Sequence, residues 1–268
     1  MTRDPFCRIG HPLLVTGHWL LVTACGVSPL TNKIDVGEEP FVVAVGEGPD
    51  SLTDLYAAPA GGGRFVRLTF NRPEERFPRL SPDGSMVAFL RASKGDKGPP
   101  WSLVVLNLRS SAESDAPLPD HAGEPERLGW SRDSRQIVVS AGGFLITPAP
   151  PEGLELRPIA TDSLGLADSL SREILGEPPR GMIRECRHGG LCVLAETGEL
   201  TLLDSTATGA VRWGADSLGY FLPDGFEVRP LGGGRSRRPV WTGAPARLRQ
   251  LTHHPGTPRL GGGPSGIR

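Results

Sequence analysis

The chain has 268 residues, with 29 Lys and Arg against 30 Asp and Glu and a formal net charge of -1, so its overall charge makes no case for a nucleic-acid partner. Its 36 glycines and 27 prolines break up short apolar runs, which argues against long helices and for many turns. The length admits two average domains, but all-β folds of this size are often one. Charge is unevenly spread. Between residues 26 and 60, Asp35, Glu38, Glu39, Glu47, Asp50 and Asp54 face only Lys33, whereas residues 228 to 268 hold eight arginines and no acid.

Residues 12 to 24, PLLVTGHWLLVTA, form an apolar segment after Arg3 and Arg8. It is too short for a membrane span of about 20 residues and suits a signal-peptide core. The segment ends in Val22-Thr23-Ala24-Cys25, which resembles the bacterial lipobox, where a cysteine is lipidated and becomes the new N-terminus. Asp4, Gly17 and His18 depart from that pattern, and an ordinary secretory signal or a misplaced start codon are the alternatives. The resemblance implies removal of the signal before Cys25 and a lipid-anchored protein on the periplasmic side of the envelope, touching the membrane through its lipid only. A soluble secreted or periplasmic protein is the other outcome.

Cys7 would leave with the signal, so Cys186 and Cys192, in the context C-R-H-G-G-L-C, are the remaining thiols. Gly189-Gly190 signals a turn that would set them facing across a hairpin, and an exported compartment permits a disulfide. A metal site using His188 has too few ligands and no recognised zinc spacing; two free thiols are the remaining alternative.

In chain order, residues 26 to 38 mix Pro, Asn, Asp and Gly and are expected to form a tether, with the folded domain from 39 to 268. Strands are predicted at Pro40–Val45, Asp54–Ala58 and Arg64–Phe70. The stretch FPRLSPDGSMVAFLR, Phe77 to Arg91, reads as strand, tight turn and strand: Pro82 presets φ, Asp83 bonds nearby backbone, and Gly84 suits the turn exit. Its second half is an unbroken apolar run, as in a strand covered on both faces. A polar loop, Ser93 to Pro100, precedes the strand WSLVVLNL at 101 to 108.

Arg127 to Ser140, RLGWSRDSRQIVVS, repeats the hairpin, with Ser131 lying 131 − 81 = 50 residues after Ser81. Further strands are predicted at Phe144–Thr147 and Leu154–Ile159, and helical spacing of Leu164, Ala167, Leu170 and Ile174 predicts a short helical insertion over Asp162 to Leu175. A third copy is Ala210 to Leu222, whose Trp213 follows Trp130 by 213 − 130 = 83 residues, or two repeat lengths. The repeat between them is assigned to Gly181–Cys186, Leu191–Ala195 and Glu199–Asp204. Phe226–Leu231, Arg238–Thr242 and Arg247–Thr252 continue the last repeat.

The turn Ser81-Pro82-Asp83-Gly84, with Asp54-Leu55-Tyr56 and Arg67-Leu68-Thr69 as strand starts and ends, resembles the WD40-like repeat of TolB-type β-propellers. The resemblance implies an all-β propeller. The repeats number about five, with six blades or an open, truncated propeller as alternatives. The first blade lacks a first strand, and Pro258 to Gly261 is expected to supply it and close the ring. Such propellers commonly serve as periplasmic binding modules for proteins, so the expected function is non-catalytic protein binding by a monomer. The competing reading is a propeller hydrolase or lyase with a site at the mouth of the central channel.

There is no Gly-x-Ser-x-Gly elbow, P-loop, dinucleotide fingerprint or His-Glu-x-x-His, and no catalytic residue, metal or cofactor is expected. His253 and His254 read as solvated turn residues, Trp130 and Trp213 as core, and Asp83, Asp133 and Asp216 as turn formers. The candidate partner contacts are Arg235, Arg237 and Arg238 in the loop at Gly232 to Arg238, joined with the loop at Ser93 to Pro100.

Overall fold

The computed structural model describes residues 28–48, 53–70, 73–92, 101–159, 182–186, 190–194, 200–214 and 216–256. The first blade contains β1 (Phe41–Glu47), β2 (Thr53–Pro59), and two short pieces, β3 (Gly63–Arg64) and β4 (Val66–Arg67). The second is β5 (Glu75–Leu80), β6 (Met86–Ala92), β7 (Trp101–Asn107) and β8 (Glu113–Pro117). The third is β9 (Pro125–Trp130), β10 (Gln136–Ala141), β11 (Phe144–Pro148) and β12 (Arg157–Pro158). The fourth is β13 (Met182–Glu185), β14 (Leu191–Leu194) and β15 (Leu200–Asp204); the fifth is β16 (Thr208–Trp213), β17 (Ser217–Leu222) and β18 (Gly225–Pro230). Then come β19 (Trp241–Thr242) and β20 (Arg247–His254). These small antiparallel sheets form a ring, and the fold is a β-propeller; none of the described residues is helical. The predicted helix at 162 to 175 lies outside the described residues.

The apolar runs follow from stacking blades face to face. Along β1, Phe41, Val43 and Val45 enter one cluster with Val87, Phe89, Val104 and Leu106 of the second blade. The alternate residues Val42 and Ala44 enter another with Trp213, Phe226 and Val228 of the fifth. In the second blade Ala88, Leu90, Leu103 and Val105 turn the other way, onto Leu128, Trp130, Ile137 and Val139 of the third. A strand whose two sides both meet a neighbouring sheet has no solvent face, so its sequence does not alternate.

The two hairpin turns reuse one hydrogen-bond pattern. Gly84 N–H donates to the Ser81 carbonyl, the Ser81 hydroxyl donates to Asp83 Oδ1 at 2.6 Å, and Met86 N–H donates to Ser81 Oγ at 3.0 Å. In the next copy Ser134 N–H donates to the Ser131 carbonyl, the Ser131 hydroxyl donates to Asp133 Oδ1 at 2.6 Å, and Gln136 N–H donates to Ser131 Oγ at 2.8 Å. Donation from the serine, Ser85 and its own backbone holds the Asp83 carboxyl below the usual range against the opposing effect of burial. Asp216 does not repeat the pattern: among the described residues its carboxylate meets the Ser217 hydroxyl, at 3.5 Å, and its carbonyl accepts from Leu231 N–H.

The closing strand is not the one expected. β20, assigned from sequence to the last repeat, pairs antiparallel along β1 from Phe41↔His254 to Glu47↔Arg247, in the sheet order β20-β1-β2-β4. Arg247–His254 therefore supplies the missing first strand, while Pro258 to Gly261 lies outside the described residues. Leu-Thr occurs at 68–69 and again at 251–252, and a dipeptide that suits either an outer or an inner strand gives no sheet position by itself.

Two further differences concern the first blade. Arg64 to Phe70 is not one strand: β3 pairs in parallel with β19, and β4 pairs with β2. The expected tether is a packed element over its described part. Leu30, Ile34 and Val36 are buried in the cluster between the first two blades, the Ser28 hydroxyl donates to the Leu108 carbonyl, and Arg109 donates to the Val36 carbonyl at 3.0 Å. The apolar residues at 30, 34 and 36 are the signal that was available for this, hidden among turn formers.

Candidate functional site

Buried polar residues of the first two blades are engaged within those blades and across the joint between them. Asp54 is wholly buried and paired with Arg67, whose Nε donates to the Thr69 carbonyl at 2.9 Å. Glu75 is also wholly buried; it accepts from the Thr69 hydroxyl at 2.6 Å and from Arg91 at 3.0 Å, while its own N–H donates to Thr53 Oγ1 at 2.9 Å. Arg91 holds Glu113 as well, at 2.9 Å. Burial pushes the Glu75 carboxyl from an ordinary 4.5 up to about 7, with the Thr69 and Arg91 bonds opposing it. Glu75 had no motif to single it out in the sequence.

The strand β20 meets both neighbours with alternate side chains. On one side Gln250 accepts from Phe77 N–H at 2.5 Å, Thr252 from Leu80 N–H at 3.4 Å, and His254 Nε2 lies 3.1 Å from the Pro82 carbonyl. Gly256 N–H donates to His254 Nδ1 at 3.1 Å, so that nitrogen is the acceptor and Nε2 carries the proton for Pro82. On the other side Leu251 enters the fifth-blade cluster and His253 stacks on Trp213, with ring centroids 4.2 Å apart. Burial, with the nearby His254 and Arg237, lowers His253 from 6.5 to about 4. The pair is thus packed, not solvated, because it ends a strand instead of occupying a turn.

Trp130 and Trp213 are both buried, as their repeat positions implied; the Trp130 indole N–H donates to the Arg79 carbonyl of the second blade at 2.9 Å. Cys186 and Cys192 are joined by a disulfide across the β13–β14 hairpin. Cys25 and the loop at Ser93 to Pro100 lie outside the described residues. Among those residues no group of three or more His, Cys, Asp or Glu is placed to hold a metal ion.

What remains open is the rim after β18. Arg237 exchanges backbone hydrogen bonds with Val228, a single bridge where the second and third blades have a fourth strand. Gly232-Gly233-Gly234 leaves the edge on one side of that bridge, and Pro239, which has no N–H, ends the pairing on the other. Arg235 and Arg237 are exposed, while Arg238 is held by Asp224 at 2.7 Å and Glu227 at 3.3 Å. The same segment exposes Leu231 (53%) and Val240 (76%), more apolar surface than a charged loop needs. Beside it a concavity of about 940 Å³ runs between the fifth and first blades, lined by Leu222, Phe226, Arg238, Val240, Trp241 and Leu248 among others.

No protein-family model and no curated protein matches the chain. Among solved structures it is similar to TolB from Acinetobacter baumannii, at 11% identity and a TM-score of 0.38, covering 78% of this chain and 54% of that one. It is similar to a putative TolB from Agrobacterium tumefaciens, at 13% identity and a TM-score of 0.36, over 74% and 60% of the two chains. The β-propeller domain of the Trilobed protease from Pyrococcus furiosus, described as having an open velcro topology, is similar at 14% identity and a TM-score of 0.32, over 75% and 67%. The chain thus spans 54% and 60% of the two TolB chains.

Proposed function

We propose that this chain is a lipid-anchored protein of the bacterial cell envelope whose propeller binds another protein without turning over a substrate. The observation that carries the binding role is the rim segment Leu231 to Val240, where exposed Leu231 and Val240 flank exposed Arg235 and Arg237 beside an open concavity. Apolar anchors on either side of arginines suit a protein surface that sets carboxylates between hydrophobic patches. Arg238 belongs to the scaffold of that rim, since its guanidinium is committed to Asp224 and Glu227. Export is supported by the apolar segment at residues 12 to 24, and anchoring by Val-Thr-Ala-Cys ending at Cys25. A disulfide between Cys186 and Cys192 is compatible with that compartment.

The test compares crosslinked envelope fractions of the parent and of Arg235→Ala/Arg237→Ala, followed by binding kinetics with whichever purified protein is depleted. Rim charges act mainly on association, so the double variant should bind more slowly and with a flatter salt dependence at unchanged thermal stability. Reproducible turnover of a small substrate, abolished by a channel-facing substitution and accompanied by no enriched protein, would replace this reading with that of a propeller enzyme.

A further inference from the structure

From the packing of the segment that follows Cys25, we infer which side of the propeller lies against the membrane: the patch formed by Pro29, Lys33, Arg64, Arg67 and Phe70 is a contact surface for the headgroups of a phospholipid bilayer. The inference rests on lipidation at Cys25, and adds to it an orientation and a set of lipid contacts.

The geometric argument is one of reach. Ser28 is buried and tied to Leu108, and Leu30 and Ile34 are locked between the first two blades, so packed structure is already present at the third residue after Cys25. Three residues span at most about 10 Å when fully extended. A lipid on Cys25 therefore holds Ser28 within that distance of the headgroup layer and leaves no tether long enough to let the propeller choose another face. Pro29, the next residue, already borders the patch.

The surface it borders has the chemistry for that position. Lys33 and Arg64 are exposed, and among the described residues neither has an ion pair. Phe70 is 71% exposed, and the Arg67 guanidinium lies over its ring, 4.8 Å from the centroid. Together they edge a shallow concavity of about 600 Å³. A single exposed ring is tolerated on a free surface, but at a bilayer interface it gains burial in the acyl boundary while the neighbouring cations meet phosphate. The opposite flank of the same segment carries Asp35 and Glu38, which headgroups of like charge would repel, so the charge distribution selects the Phe70 side.

The experiment uses the full lipidated protein, in which acylation of Cys25 and the Cys186–Cys192 disulfide leave no free thiol. A nitroxide is attached at Phe70→Cys, or at Glu152→Cys on the third blade as a control, and the protein is reconstituted in vesicles of phosphatidylethanolamine and phosphatidylglycerol. Collision with oxygen should exceed collision with a water-soluble nickel complex for the label at position 70 and not for that at 152. Adding Lys33→Glu/Arg64→Glu should return the label at 70 towards the aqueous value. A label at 70 as aqueous as that at 152, in protein whose acylation is verified by mass spectrometry, overturns the orientation while leaving the anchor in place. Immersion unaffected by the charge reversals overturns the role of Lys33 and Arg64, and an unacylated N-terminus removes the inference together with the reading beneath it.

Discussion

At the scale of single residues, Ser134 occupies with φ +61° the turn position that Gly84 occupies with φ +70°. Side chains with a Cβ pay for a left-handed conformation, so Ser134→Gly is expected to stabilise the protein by about 0.5 kcal/mol despite the added freedom of the unfolded chain. The reverse change is unfavourable on two counts. A Cβ on Gly84 would lie 2.8 Å from the His254 ring, so Gly84→Ala should cost about 2 kcal/mol or more, read from urea unfolding. Glu75 is a third residue-scale case. Its folded pKa, about 7 against an ordinary 4.5, means that the folded state holds a proton the unfolded state releases. Its contribution to stability therefore rises as pH falls from 7 to 4.5, by about 3 kcal/mol at full extent. His253, lowered to about 4 from 6.5, acts oppositely: the unfolded state takes up a proton first, and stability falls as pH drops through 6.5 towards 4. The two slopes oppose each other between pH 6.5 and 4.5. Glu75→Gln should leave stability falling with acidification, and His253→Gln should leave it rising; parallel profiles for parent and both variants would refute the assignment.

At the scale of elements, β20 is the strand on which closure depends, since it is hydrogen-bonded along β1, bonded through side chains to β5 and packed on β16 by His253 and Leu251. Truncation after Ala246 leaves β1 as an unpaired inner edge and should cost roughly 5 kcal/mol or more, with aggregation on unfolding. Truncation after Gly256 keeps β20 and its His254 contacts, and melting indistinguishable between the two truncated proteins would refute the assignment of closure to β20. The segment at 28 to 38 is a second element whose position matters. Replacing Leu30 by Ala removes a side chain buried to 1% exposure between two blades, and a loss of about 2 to 4 kcal/mol would distinguish a packed element from a tether.

At the scale of the whole molecule, the sheets among the described residues are short and the joints between them carry much of the specificity. The second-to-third and fifth-to-first joints are closed by large apolar clusters, and the first-to-second joint adds the buried Glu75 network. Among the described residues the fourth blade shows three strands and the Cys186–Cys192 bridge. Its loop is short, with a sequence separation of 6, so reduction should lower stability by only about 2 to 3 kcal/mol in the chain-entropy description. Unreduced, denatured mature protein that labels at both thiols would exclude the bridge. In the proposed reading, binding falls to the rim at Leu231 to Val240 and membrane contact to the flank around Phe70.

The sequence by itself determined the class of fold and the repeat, because both are written in local terms. A Ser-Pro-Asp-Gly turn between two apolar runs favours a hairpin, and short unbroken apolar runs bounded by turns, such as Val87 to Leu90, favour strands covered on two faces. It also located the degenerate fourth repeat, from three short strands spaced around turns. The tertiary structure alone decided which strand closes the ring, that residues 28 to 38 pack as a wedge between blades, that His253 and His254 are held in the joint, and that Glu75 is buried beside Arg91. Each of these depends on partners that the fold brings together from elsewhere in the chain, from 16 residues away for Glu75 and Arg91 to 172 for His254 and Pro82, and neither dipeptide motifs nor periodicity carries that partner's identity. The same limit applied to Arg238, which looks in sequence like its neighbours Arg235 and Arg237 and differs from them because the fold sets Asp224 and Glu227 against it.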